Sequence, residues 1–276
     1  MIKAYATVPA GFTVFSDATE MTFPAGEQHI KTLSESAQTP SHVLISGADA
    51  NDYVSAAMWI DHGHQGGHTV TAKIPYLPGA RQDRGTPFGA QVYANLINSM
   101  QADRVVCFDP HSPVMPALVD NLTVVHSDEV IAASLPSQGR DYVGVIAPDA
   151  GAVERARRAA DALGLPLYRA TKVRDFATGK LSAFRCEELP ESGRMLVVDD
   201  ICDGGGTFMG LAQATGLPKD RLDLWVSHGV FSGRAAQIAS AYGRIFTTDS
   251  HPGHRNPDVN ATIVPLAAFL EVGVNA

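Results

Sequence analysis

The chain has 276 residues, 45% of them hydrophobic, and a formal net charge of −8 at pH 7. That is enough apolar material for the core of one large domain or two ordinary ones. The negative balance, with no run of Lys or Arg, argues against nucleic acid as a partner. Cys107, Cys186 and Cys202 are scattered and form no CxxC pair, which fits a reducing compartment better than a disulfide framework. The sequence carries no leader-like start and no apolar window of membrane-spanning length, so a cytoplasmic protein with no membrane partner is expected.

Apolar runs at residues 43–46, 69–74, 104–108, 143–147, 195–198, 222–226 and 244–247 read as strands, with a further candidate at 166–169. They are almost continuously apolar, as strands covered on both faces are, whereas a half-exposed antiparallel strand alternates. Helices are expected at 53–61, 89–100, 152–163, 207–214 and 233–241. The alternation predicts an α/β fold with mostly parallel sheets flanked by helices. The polar stretch Ser134-Leu-Pro-Ser-Gln-Gly-Arg-Asp141 separates two blocks, each running from strand through an acidic or histidine-bearing turn into helix. It predicts domains 1–137 and 138–276 of similar topology, with the apolar last residues, 262–274, docking rather than dangling and able to reach the N-terminal domain.

The sharpest chemical signal is Met195-Leu-Val-Val-Asp199-Asp200-Ile-Cys-Asp203-Gly204-Gly205-Gly206-Thr207-Phe208. An apolar strand meets two carboxylates, then three glycines and a Thr that open a helix. Glycines let backbone N–H groups approach an anion, and a helix N-terminus adds partial positive charge. Asp199 and Asp200 are acceptors suited to sugar hydroxyls beside a phosphate held at 203–207. A glycine-punctuated acidic turn is the plain alternative, and the ordered succession of elements weighs against it. No Lys follows the glycines and the G-x-G-x-x-G spacing is absent, so this is neither a Walker loop nor a dinucleotide fingerprint.

Other segments carry weaker signals. Arg81 and Arg84 offer planar forks for polyphosphate oxygens and Gln82 a hydrogen-bonding amide, though together they also describe a solvated turn. His111, after Asp109-Pro110, is a metal ligand or a histidine satisfied by a backbone carbonyl. Asp149, before Ala150-Gly151, is a helix cap or a magnesium ligand. Lys172 and Arg174 lie in a basic, loop-like stretch. His62, His64 and His68 read as a flexible polar loop, His251 and His254 as a turn, and Arg155, Arg157 and Arg158 as a solvated helix face.

The segment 195–208 resembles the phosphoribosyl pyrophosphate loop of the phosphoribosyltransferase superfamily. Pro75-Tyr-Leu-Pro-Gly-Ala-Arg81-Gln82-Asp83-Arg84 and Asp109-Pro-His111 narrow the resemblance to the ribose-phosphate pyrophosphokinase family. Phe23-Pro-Ala-Gly-Glu27, Ala147-Pro-Asp149-Ala-Gly151, Lys172-Val-Arg174 and Ser227-His-Gly-Val-Phe-Ser-Gly233 follow in that family's order, over nearly the whole chain. The resemblance implies two phosphoribosyltransferase-like domains, ATP near their junction, a Mg2+ cofactor and a homo-oligomer. It implies attack of a ribose 5-phosphate 1-hydroxyl on the β-phosphorus of Mg-ATP, without a covalent enzyme intermediate. Phe23, Glu27, Arg81 and Gln82 would then hold ATP, and His111 and Asp149 the metal, with His111, Lys172 and Arg174 catalytic. Asp199, Asp200, Asp203, Gly204, Gly205, Gly206 and Thr207 would bind the ribose phosphate.

The chain also departs from the family. Gly204 replaces a hydroxyl residue of the phosphate loop, opening space for a bulkier 5-substituted ribose such as ADP-ribose. Ala25 stands where the family has Asp or Asn near the adenine, and 29–34 lack the Arg-Gly associated with allosteric control. A plain phosphoribosyltransferase would leave Arg81-Gln82, Asp109-Pro-His111 and Lys172-Val-Arg174 without a task, and the retention of Lys172, Arg174, His111 and Asp199 argues against a non-catalytic subunit.

Overall fold

The computed structural model describes residues 2–8, 11–14, 18–32, 42–135, 141–174 and 181–271, with backbone alone at 2–8, 11–14, 18–20, 32, 172–174 and 181–183. The chain divides into two compact units, Met1–Val125 with Ala267–Ala276, and His126–Leu266. The boundary expected at residue 137 lies outside the described residues, and the division falls ahead of it.

The first unit contains β1 (Ile2–Val8), β2 (Gly11–Val14), β3 (Ala18–Thr22), β4 (Gln28–Thr32), β5 (His42–Ile45), α1 (Ala50–Gln65), β6 (Thr71–Ile74), α2 (Gly89–Ser99), β7 (Arg104–Phe108), α3 (Val114–Leu118) and β8 (Leu122–Val125). Its main sheet runs β2-β1-β5-β6-β7-β8, parallel from β5 to β8 with the antiparallel β1–β2 hairpin at one edge. Asp49 caps α1 by accepting from the Asn51 N–H at 3.0 Å, and the helix then buries Tyr53, Ala56 and Ile60 at helical spacing against Val43, Ala72 and Val105.

Helix α1 continues past the expected Asp61, so His62 and His64 lie in its last turn and not in a flexible loop. There His64 Nε2 is 2.9 Å from Asp103, whose carboxylate also accepts from the Val70 N–H at 2.7 Å, and the His68 N–H closes on the Gly63 carbonyl. On the other face of the sheet the buried Lys73 pairs with Glu271, part of the segment that returns to this unit. Burial and the Lys73 charge push the neighbouring His42 down to about 4, so its imidazole stays neutral near pH 7.

The second unit contains α4 (Ser127–Ser134), β9 (Tyr142–Ala147), α5 (Val153–Leu163), β10 (Leu167–Arg174), β11 (Leu181–Cys186), β12 (Arg194–Cys202), α6 (Gly206–Thr215), β13 (Leu222–Gly229), β14 (Ile245–Thr248) and β15 (Thr262–Val264). The sheet order is β11-β10-β9-β12-β13-β14-β15, parallel except for the β10–β11 hairpin. Helix α4 belongs here because it packs on α5, with Arg158 Nε donating to Asp128 at 3.2 Å. The helix expected at 233–241 is a short 3-10 segment, Ala235–Ser240, since Gly233 just before it has φ +53° and takes its backbone out of the helical region.

At the amino ends of β9, β12 and β13, the fully buried Asp223 accepts from Tyr142 Oη at 2.7 Å, Arg194 Nη1 at 3.0 Å, the Arg244 N–H at 2.9 Å and Arg244 Nε at 2.6 Å. Among the described residues no helix is long and apolar enough to cross a membrane.

Candidate active site

Strand β12 runs beyond its apolar stretch, through Asp199 and Asp200, and stays paired with β13 as far as Cys202 against Gly229. The two acids therefore sit at the carboxyl end of a central parallel strand, where open α/β sheets bind ligands. Asp200 is buried, and its N–H donates to Asp199 Oδ1 at 2.9 Å. Facing them from α5 is Arg155, with Nη1 3.9 Å from Asp199 Oδ1 and Nη2 3.8 Å from Asp200 Oδ2. Burial and the adjacent Asp200 carboxylate push Asp199 well above its ordinary value, while Arg155 pulls it down.

This overturns the solvated-face reading for Arg155, which is only 7% exposed. Arg157 does lie on the solvated face, bonded to Glu154 and Asp161, and Arg158 is half-buried against Asp128. The missed signal was periodic: Arg155 and Ala156 lead Ala159 and Ala160 by one helical turn, so Arg155 shares their buried stripe.

Past Cys202 the loop is anchored to the segment after β13. Phe231 N–H donates to Cys202 O at 2.9 Å, Ser232 N–H to Asp203 O at 3.1 Å, and the Ser232 hydroxyl to the Asp203 carboxylate. Gly205 has φ +78°, and a Cβ there would lie 2.9 Å from Ile238 Cγ2, so both conformation and space require glycine. Gly204 is different: a Cβ on it meets nothing within 4 Å. Gly206 then opens α6, with Thr207 in its first turn. We expect Gly204→Ser to leave urea-unfolding stability within about 0.5 kcal/mol of wild type, and Gly205→Ala to lower it by about 1–3 kcal/mol. Equal behaviour of the two variants would contradict this account of the loop.

Burial and the charges of Asp199 and Asp203 push the Cys202 thiol up to about 12, so it remains protonated near pH 7 and is no nucleophile. The His251-Pro-Gly-His254 stretch is the expected turn. His251 Nδ1 accepts from the Gly253 N–H at 3.0 Å, and His254 Nδ1 contacts His251 O at 2.7 Å.

Asp149 caps the turn before α5, its Oδ1 accepting from the Gly151 and Ala152 N–H groups at 2.9 and 3.2 Å. Lys172 and Arg174 are not in a loop. They lie on β10, where Lys172 pairs with Phe184 and Arg174 with Leu181 across a register shift, while 175–180 and both side chains fall outside the described residues. Sequence reading missed this extension because its polar residues hide a strand that pairs with only one partner at that end.

In the first unit the 81–84 and 109–112 segments come together at the carboxyl ends of β6 and β7, which Phe108 N–H to Pro75 O joins at 3.2 Å. Burial raises Asp83, but hydrogen bonds from Ser112 and Arg84 and the charges of Arg84 and His111 outweigh it and hold Asp83 below its ordinary value. Arg81 and His111 are exposed, and the Gln82 side chain lies over Gly89 at the start of α2, where a Cβ would be 1.8 Å from Gln82 Oε1. Phe23 and Glu27 bracket the β3–β4 turn, with Phe23 N–H donating to Glu27 O at 2.8 Å and the Phe23 ring 44% exposed. His111 belongs to the first unit and Asp149 to the second, and among the described residues no group of three or more His, Cys, Asp or Glu is arranged to hold a metal.

Two units with mostly parallel sheets, the second carrying paired acids ahead of a glycine loop, define a phosphoribosyltransferase-like α/β protein. The structure is similar to phosphoribosylpyrophosphate synthetase from Mycobacterium smegmatis, with TM-score 0.75 and 24% identity, over 94% of this chain and 91% of that one. In sequence the chain is 31% identical over 215 residues to ribose-phosphate pyrophosphokinase of Hyphomonas neptunium, covering 73% of this chain and 68% of the relative. It is 36% identical over 195 residues to that of Granulibacter bethesdensis, covering 66% of this chain and 61% of the relative. No family model matches. The chain belongs to the ribose-phosphate pyrophosphokinase family, and its matched part spans from 61% to 68% of the length of these two relatives.

Proposed function

We propose that the chain transfers the pyrophosphoryl group of Mg-ATP to the 1-hydroxyl of ribose 5-phosphate, giving 5-phosphoribosyl 1-pyrophosphate and AMP. The observation that carries this reading is the delivery of Asp199 and Asp200 by β12 to the mouth of the 203–207 loop. Carboxylates there take hydrogen bonds from ribose hydroxyls, while loop N–H groups and the start of α6 take the 5-phosphate. Arg81, Gln82, Phe23 and Glu27 hold the nucleotide. Lys172 and Arg174 neutralise charge on the transferring phosphates as the bond between the β-phosphorus and the AMP oxygen breaks.

Mg2+ keeps several waters and binds through one or two protein groups together with substrate phosphates, and the Asp149 carboxylate of the second unit and the exposed His111 of the first would each offer one ligand. When bound, the ion supplies charge neutralisation on those phosphates. Two copies of the chain would complete the nucleotide site, covering Phe23 and the 39%-exposed Met21 on the β3–β4 hairpin.

The test is incubation of purified protein with Mg-ATP and a panel of 5-substituted riboses, with products identified by mass spectrometry. AMP and a 1-pyrophosphoryl sugar are expected; ADP in place of AMP, or no transfer, overturns the reading. Asp199→Asn and Asp200→Asn should each raise the sugar KM by about one to two orders of magnitude, the loss of one charge-assisted hydrogen bond, with the ATP KM nearly unchanged. One observation favours a second reading: the open space at Gly204 leaves room for a larger 5-substituent than phosphate. Preference for ADP-ribose over ribose 5-phosphate in the panel would select it.

A further inference from the structure

Helix α5 buries Ala156, Ala159 and Ala160 along one stripe, and a single charged side chain, Arg155, lies among them. A buried guanidinium is destabilising unless opposite charge meets it, and methyl groups cannot meet it. The two acids at the end of β12 do: one terminal nitrogen faces Asp199 at 3.9 Å and the other faces Asp200 at 3.8 Å. Both separations exceed the usual N–H···O range, so at these contacts the fork acts through charge and geometry more than by occupying acceptor lone pairs.

Adjacent buried carboxylates repel each other and hold their protons more tightly, and a protonated acid presents a donor where a sugar hydroxyl needs an acceptor. We propose that Arg155 is a positioning residue for the sugar clamp, its guanidinium holding the Asp199 and Asp200 carboxylates side by side in the charged, acceptor-only form. This rests on the clamp role assigned to the two acids under the proposed function. Burial and the Asp200 carboxylate raise Asp199 overall, and the Arg155 charge is the side-chain contribution that lowers it, which is the direction the proposal assigns to the guanidinium. Of the other titratable groups on elements beside this end of β12, Asp149 after β9 and Cys202 and Asp203 on β12 and its loop can add only negative charge. His228, on the neighbouring β13, and His251, which interacts with both His228 and Asp203, are positive only when protonated. Arg155 alone among these carries a fixed positive charge.

The test compares wild type with Arg155→Met, which keeps the length and loses the charge, and Arg155→Lys, which restores a cation with different geometry. With ATP saturating, the acidic limb of kcat/KM for ribose 5-phosphate should move to higher pH by about 1–3 units in Arg155→Met. The sign follows from removing a cation: the carboxylates protonate at higher pH and the clamp is lost sooner as pH falls. Arg155→Lys should recover most of the shift, and the KM for ATP should stay unchanged.

A second readout does not depend on activity. Carboxyl 13C titration by NMR, on protein labelled at aspartate, should show Asp199 and Asp200 titrating higher in Arg155→Met than in wild type. A loss of activity uniform across pH, with carboxyl titrations unmoved, overturns the proposal and leaves Arg155 a packing residue. Should Arg155→Met fail to fold, Arg155→Gln, which also removes the charge, takes its place, an upward shift of the acidic limb upholding the proposal and no shift overturning it. If wild type transfers no pyrophosphoryl group, the proposed function fails and the NMR titration still decides whether Arg155 holds the acid pair charged.

Discussion

Asp223→Ala should destabilise the second unit by about 3–5 kcal/mol, the usual cost of removing one member of a buried charge network. Asp223 is fully buried and accepts at once from Tyr142 on β9, from Arg194 on β12 and twice from Arg244 ahead of β14. Its removal leaves the Tyr142 hydroxyl and the Arg194 and Arg244 guanidiniums without their shared acceptor. Arg244 also lies 5.3 Å from the Tyr142 ring centroid and 5.9 Å from that of Phe246, so its displacement disturbs packing as well as charge. Asp223→Asn keeps one acceptor oxygen and should cost less. Urea unfolding measures both. Because this network sits at the amino ends of the strands, away from Asp199 and Asp200, the folded fraction of either variant should keep wild-type KM values. A denaturation midpoint for Asp223→Ala within error of wild type would show that solvent compensates the two arginines.

Lys172→Ala and Arg174→Ala should each lower kcat by about 10²–10³-fold, the range found when a group that stabilises transition-state charge is removed. Little of that loss should appear in ATP affinity, so kcat and kcat/KM fall together. The backbone gives the expectation a physical basis: β10 and β11 form an antiparallel ribbon that carries residues 172 and 174 beyond the last β10 partner on β9, Arg169 against Ala147. Steady-state kinetics with ATP titrated at saturating sugar is the measurement. Losses shared equally between ATP binding and turnover would make the two residues ordinary nucleotide contacts.

Much of the fold was legible because fully covered parallel strands must be apolar on both faces. The span expected at 104–108 is β7 as found, and the α5 and α6 spans differ from expectation by a residue or two. Strands that answer to a partner rather than to hydropathy were not legible. The β1–β2 and β3–β4 hairpins and β11 are mixed in composition and exist through antiparallel pairing. Strand β12 was cut short at Val198 because apolarity ends there, while its ladder to β13 runs on to Cys202.

By itself the sequence determined the α/β class, the acid pair, the glycine loop and the likeness that names the family, since each is carried by residue type and order along the chain. Only the tertiary structure decided that Asp49 to Gln65 is one capped helix ending on Asp103, that Gly205 must be glycine while Gly204 need not be, and that Arg155 faces Asp199 and Asp200. Those outcomes depend on which atoms lie within a few ångströms across the fold, and a linear pattern holds the helical period of Arg155 without the strand that its guanidinium meets.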